Sequence, residues 1–139
     1  MRFWDSSAIV PLLVRQSSTT KAQAWFGEDP AIALWTLSHV EITSALWRLA
    51  RDGEVAESAA LTADARAGEL VAAGHVIIDV DAVTSSARRL LRVHALRAAD
   101  ALQLGAALLW SGGRPQGRTV LTLDDRLALA ARREGFHVP

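Results

Sequence analysis

The chain contains no cysteine. Disulfides and thiolate metal sites are therefore excluded, and a reducing cytoplasm is the compartment that suits this composition. Lysine is nearly absent as well: Lys21 stands alone beside fourteen arginines, against fifteen acidic residues, and the formal charge is zero. Bulk electrostatics would not draw such a protein onto a polyanion, so any nucleic-acid contact has to be local. Arginine forks match phosphate bidentately, and Arg88, Arg89, Arg92 and Arg97 lie close together, although a solvated helix face is the simpler account of each. There is no run of about 18 uncharged apolar residues to span a bilayer, and Asp5 interrupts the N-terminus too soon for a secretory hydrophobic region. The expectation is a soluble chain without a membrane segment.

Missing motifs narrow the chemistry further. Without Gly-x-x-x-x-Gly-Lys no P-loop cradles a triphosphate, and the first apolar run is followed by Ser6-Ser7 rather than by a dinucleotide-binding glycine turn. His39, His75, His94 and His137 include no His-x-x-x-His pair, and the His39/Glu41 spacing imitates a zinc deaminase without its cysteines. Gly-x-Ser-x-Gly is absent, which removes the common serine-hydrolase elbow. An aspartyl-nucleophile phosphatase needs Asp-x-Asp after its first strand, where this chain has Asp5-Ser6-Ser7. A receiver domain needs a late lysine, and the single lysine here is early.

The 139 residues, half of them apolar, are enough for one domain with a sizeable core, and no linker or repeat divides residues 1–139. Short apolar runs at 2–5, 31–37, 76–78 and 119–123 predict strands. Between them, helical patterns are expected at Ser6–Val14, Ser18–Phe26, from a Ser38 cap to about 50, from Gly53 to about Ala73, at Asp81–His94, Ala98–Trp110 and Asp125–Glu134. Val40, Ile42, Ala45, Leu46, Leu49 and Ala50 are assigned to one apolar face, and Gly74 and Gly135 are read as C-terminal stops. Phe136–Val138 adds a short edge strand. Apolar strands alternating with amphipathic helices give an α/β fold, a central, mostly parallel sheet of four to five strands covered on both faces.

Asp5, Glu41, Asp100 and Asp124 each fall where a strand ends or a helix begins. In a parallel sheet, ligands bind beyond the carboxyl ends of the strands, so these positions can share one rim. Taken singly, a first-turn carboxylate needs no more than a helix dipole to explain it. Four of them facing one another would repel unless cations neutralised them, and oxygen donors of this kind suit Mg²⁺ or Mn²⁺. Magnesium keeps waters and joins phosphate oxygens, which points to phosphodiester chemistry.

Four segments carry a family resemblance: Trp4-Asp5-Ser6-Ser7-Ala8; Ser38-His39-Val40-Glu41-Ile42-Thr43-Ser44-Ala45-Leu46; Leu96-Arg97-Ala98-Ala99-Asp100-Ala101-Leu102-Gln103-Leu104; and Leu121-Thr122-Leu123-Asp124-Asp125-Arg126-Leu127. In this order and at this length the chain resembles a PIN-domain ribonuclease of the VapC toxin type. The resemblance implies a PIN-like three-layer α/β/α sandwich and an acidic site of Asp5, Glu41, Asp100 and Asp124 that holds Mg²⁺ or Mn²⁺. Ser7, Thr122, Asp125 and Arg97 are auxiliary candidates; Asp124 is preferred over Asp125 because it matches the Thr-x-Asp spacing, with Asp125 starting a helix. It also implies endonucleolytic cleavage of structured RNA such as tRNA or rRNA, a cognate VapB-like antitoxin, and a homodimer or a heterotetramer or larger assembly with that antitoxin. A catalytically silent PIN-fold module that binds RNA or a protein is the alternative. Trp25 and Trp47 are candidate partner anchors, with core packing the simpler account of both.

Overall fold

Alternation along very short strands decides the architecture. In the computed structural model, which describes residues 1–139, β1 (Arg2–Trp4), β2 (Ile32–Trp35), β3 (His75–Ile77) and β4 (Val120–Leu121) form one sheet. The order is β3-β2-β1-β4, with every neighbouring pair parallel. Successive side chains of a strand leave opposite faces. Phe3, Ala33, Trp35 and Val120 accordingly join one buried cluster with α5 (Val80–Val93), α6 (Ala98–Trp110) and α7 (Asp125–Glu134). Trp4, Ile32, Leu34 and Leu121 join a second with α1 (Ser6–Leu13), α2 (Thr19–Glu28), α3 (Ser38–Arg51) and α4 (Glu57–Ala73). This is the expected three-layer sandwich, and its strands are apolar on both sides because helices cover both.

Several local expectations are corrected. Phe136–Val138 does not become a strand: it makes one parallel bridge, His137 with Thr119, in which His137 accepts from the Val120 N–H and donates to the Arg118 carbonyl, and Pro139, the next residue in phase, has no N–H to extend it. β2 stops at Trp35 and β3 begins at His75, leaving Ile78 73% exposed. The fifth helix starts at Val80, since Asp79 caps it by accepting the Ala82 N–H at 2.9 Å. Ser38 is not the cap of α3; Leu37 holds that position without a side-chain bond, and the Ser38 hydroxyl is committed to Gln103. Val40 lies 65% exposed, off the buried face it was assigned to.

Gly74 closes α4 as expected, and both it and Gly105 stand where another segment approaches closely. Gly74 does so with extended backbone, not a left-handed turn, and a Cβ there would meet Leu34 Cδ2 at 2.6 Å. Gly105 lets α6 cross α5 so closely that a Cβ would sit 2.9 Å from the Val83 carbonyl oxygen. Gly135, with φ +103°, does end α7 as a left-handed cap. Trp25 is core rather than an anchor, packed edge-on against buried Trp4 at 6.4 Å, whereas Trp47 is half-buried on α3. No helix is long and apolar enough to cross a membrane.

The sheet order places a topological switch at β1. From β1 the chain moves outward through β2 to β3, then returns to add β4 on the opposite side. The crevice between the carboxyl ends of β1 and β4 is where such a sheet offers a ligand site. Asp5 leaves the first of these strands and Thr122 the second.

Candidate active site

Asp5 ends β1 and caps α1 at the same time. The residue is only 4% exposed, and its Oδ2 is crowded with donors: the Ser7 N–H at 3.2 Å, the Ser7 hydroxyl, and the Thr122 hydroxyl at 2.9 Å. Its Oδ1 has only the long Ser6 contact at 3.4 Å. Such donors favour the ionised form, but burial outweighs them and pushes the carboxyl pKa up, helped by the charge of Asp100. The Ser7 and Thr122 hydroxyls in turn accept the Leu123 and Asp124 N–H groups at 2.9 and 3.1 Å. One hydrogen-bonded relay thus fixes the strand ends on both sides of the crevice.

The first turns of α3 and α6 deliver Glu41 and Asp100. Ser38 lies one turn before Glu41, and Gln103 one turn after Asp100, so each acid shares a helix face with a polar partner. Gln103, 1% exposed, donates through Nε2 to the Ser38 hydroxyl at 3.1 Å. That buried bond ties the first turn of α3 to the second turn of α6. The Ser6 hydroxyl donates to Glu41 Oε2 at 2.8 Å. Burial raises the Glu41 pKa, and the charges of Asp5 and Asp100 raise it further against the hydrogen bonds of Gln103 and Ser6. Asp100 is also raised, by burial and then by Asp124, with the Arg97 backbone, Arg97 and Arg126 pulling the other way.

The electrostatic couplings connect all four expected positions through Asp100. Asp100 acts on Asp5 and on Glu41, Asp5 acts on Glu41, and Asp124 joins through Asp100. Asp125 starts α7, as expected. Asp124 is itself the cap of that helix, accepting the Leu127 N–H at 2.8 Å through Oδ1. Both line a cleft of ≈ 380 Å³ with Asp100, Arg97, Leu123 and Arg126. Of the arginines grouped in sequence, Arg97 lines this cleft; Arg89 instead forms an ion pair with Glu134, and Arg88 and Arg92 are exposed on α5.

Ser6 and Ser38 are expected only as helix starts, and Gln103 and Arg126 are site residues that the sequence does not single out. A polar residue on the core-facing stripe, one turn from an acid, was the available signal for Ser38 and Gln103. No three carboxylates or histidines stand close enough to grip one cation by themselves. The donors are nonetheless all oxygen, none of the four acids is ion-paired, and Arg97 and Arg126 offset their repulsion only in part, since the Asp100 pKa stays raised. This set fits a hard divalent ion that takes one or two carboxylates and keeps its waters. Thr122→Val should raise the Asp5 pKa further and cost about 1–3 kcal/mol at neutral pH by removing a donor to a buried carboxylate. Urea unfolding and a carboxyl NMR titration read both; unchanged values would mean the hydroxyl does not hold Asp5.

A parallel α/β/α sandwich with carboxylates gathered at its switch point defines the class as a PIN-like fold with an acidic rim. No family model matches the chain. Two curated relatives are 34% identical to it over 137 residues, covering 98% of this chain and 92% of theirs: Ribonuclease VapC45 of Mycobacterium tuberculosis strain CDC 1551 / Oshkosh and Ribonuclease VapC49 of strain ATCC 25618 / H37Rv. The crystal structure of PAE2754 from Pyrobaculum aerophilum superposes with a TM-score of 0.62 at 21% identity, over 99% of this chain and 87% of that one, a likeness of fold. At this identity and coverage, the chain belongs to the VapC ribonuclease family.

Proposed function

We propose that this protein is the toxin of a type II toxin-antitoxin pair, a Mg²⁺-dependent endoribonuclease that cuts structured RNA such as tRNA or rRNA. Family membership supports the ribonuclease reading. The observation that carries it is the acidic group at the switch point, free of ion pairs, where the charge of Asp100 raises the pKa of buried Asp5 and of half-buried Glu41, and Asp124 raises that of Asp100. A VapB-like antitoxin is the partner, and the toxin forms a homodimer that joins it in a heterotetramer or larger assembly in the cytoplasm.

Asp5 and Asp100 are the principal ligands for Mg²⁺, or for Mn²⁺, with Glu41 and Asp124 completing the site. The bound ion supplies charge to polarise the scissile phosphate and a water nucleophile at neutral pH. Ser7 and Thr122 fix Asp5 through Oδ2 and leave Oδ1 for the ion. Glu41, held by Ser6 at Oε2, takes the proton of the attacking water at Oε1, a role suited to its raised pKa. The P–O3′ bond breaks and O3′ takes a proton from solvent water, leaving a 5′-phosphate and a 3′-hydroxyl. Purified protein incubated with total RNA should release 5′-phosphate ends with Mg²⁺ present and none with EDTA, as read by 5′-end sequencing. Equal cleavage in EDTA would overturn the metal-dependent reading, and no cleavage under either condition would favour a silent binding module.

A further inference from the structure

A site built of carboxylates repels the polyanion it acts on, and a chain of zero net charge has no general attraction to offset this. Local cations must supply it. Across the wall formed by Leu123, Asp124 and Asp125 lies a second cleft of ≈ 200 Å³, which Lys21 and Arg132 also line. The two clefts share that wall, so the second is continuous with the acidic rim. Thr122, which donates to Asp5, lines it too.

Neither cation is neutralised. Lys21 forms no ion pair; its ammonium lies 4.7 Å from the centroid of the Trp25 ring, a contact that positions the charge without cancelling it. Arg132 donates from Nε and Nη2 to the Val138 carbonyl at 3.3 and 3.0 Å, a neutral acceptor. Two of its five N–H groups are used in this way and the rest remain free. On the opposite side of the wall, Arg97 and Arg126 are equally without ion pairs. Most arginines of the chain are unpaired, Arg2 and Arg89 being the exceptions, so what sets these four cations apart is their place on the two clefts. Unpaired cations thus bracket the acidic wall.

We infer that the Lys21/Arg132 cleft is a phosphate subsite, gripping a backbone phosphate of the RNA strand that flanks the scissile bond, with Arg97 and Arg126 holding the strand on the other side. The inference rests on the ribonuclease reading above for its substrate and adds the path of the strand across Leu123–Asp125. Lys21 is the residue to test, because it is exposed and alanine is at least as good in a helix.

Binding of a fluorescein-labelled single-stranded RNA oligonucleotide to the full chain, followed by anisotropy over a range of KCl with Ca²⁺ in place of Mg²⁺, reads the subsite without cleavage. Lys21→Ala should weaken binding several-fold and lower the slope of log affinity against log salt by about 0.7, the share of one phosphate contact on a single strand. Lys21→Arg should restore both. Arg51→Ala, at the far end of α3, should leave the slope at the wild-type value. In cleavage with Mg²⁺, Lys21→Ala should raise KM while kcat stays within about twofold. A wild-type slope in Lys21→Ala, or an equal loss in Arg51→Ala, overturns the subsite even where wild-type protein cleaves RNA normally. Failure of the wild type to cleave, with the Lys21 slope effect intact, overturns the nuclease reading and leaves the subsite standing.

Discussion

Asp5→Asn should cut RNA at least about a hundredfold more slowly than wild type, the scale of losing one preorganised electrostatic group at a reacting centre, and should fold normally. The substitution keeps shape and an acceptor for the α1 cap, since asparagine serves that position as well as aspartate does. It removes the charge that would bind the ion. Stability does not fall for want of that charge, because burial already makes the ionised carboxyl the unfavourable form at this site. Initial rates on a labelled RNA, with circular dichroism as the control for folding, check both halves. Wild-type cleavage by Asp5→Asn would remove Asp5 from the chemistry.

Divalent ions should stabilise the protein strongly, and the effect should depend on pH in a definite direction. Saturating Mn²⁺ at about a hundred times its dissociation constant adds about 2.7 kcal/mol, a shift in Tm on the order of 10 °C for a chain of this size. In EDTA the signs follow from the raised pKa values of Asp5, Glu41 and Asp100. A raised folded-state pKa contributes stability that is complete below the unfolded values of 3.8 and 4.5 and is lost as pH climbs through the folded ones. The metal-free protein should therefore gain Tm on acidification from neutral pH towards about 5. Glu134, lowered by Arg89, works the other way, but its loss comes only as pH falls below 4.5. Asp100→Asn should flatten the acid gain and reduce the Mn²⁺ shift, both measured by calorimetry. A Mn²⁺ shift unchanged in Asp5→Asn and Asp100→Asn would place the ion elsewhere.

The four acidic positions were legible because each sits beside a break in hydrophobic periodicity, where a side chain need not serve the core. Their supports were not. Ser6 reads as a helix start and carries Glu41; Gln103 reads as an ordinary helix residue and ties α6 to α3. Hydrogen bonds between residues 35 or 65 positions apart leave no local pattern. Gly74 shows the same limit from the opposite side: its position after a helix suggested a left-handed stop, whereas Leu34 of a neighbouring strand is what excludes a Cβ. The arginines near position 90 were close in sequence, yet α5 and the turn before α6 send them to different neighbours.

By itself the sequence determined the alternation of buried strands and amphipathic helices, the absence of thiolates and of P-loop and nucleophile-elbow motifs, and the placement of Asp5, Glu41, Asp100 and Asp124 at strand and helix ends. Those are properties of composition and short-range periodicity, set by how far a residue lies from its neighbours along the chain. Tertiary structure alone decided which oxygen of Asp5 is free, that Asp124 spends one oxygen on capping α7, and that Lys21 and Arg132 meet beside the acidic wall. These depend on the strand order β3-β2-β1-β4, which brings residues from both ends of the chain to one crevice. Burial at that crevice then sets charges against one another at distances that sequence separation does not encode.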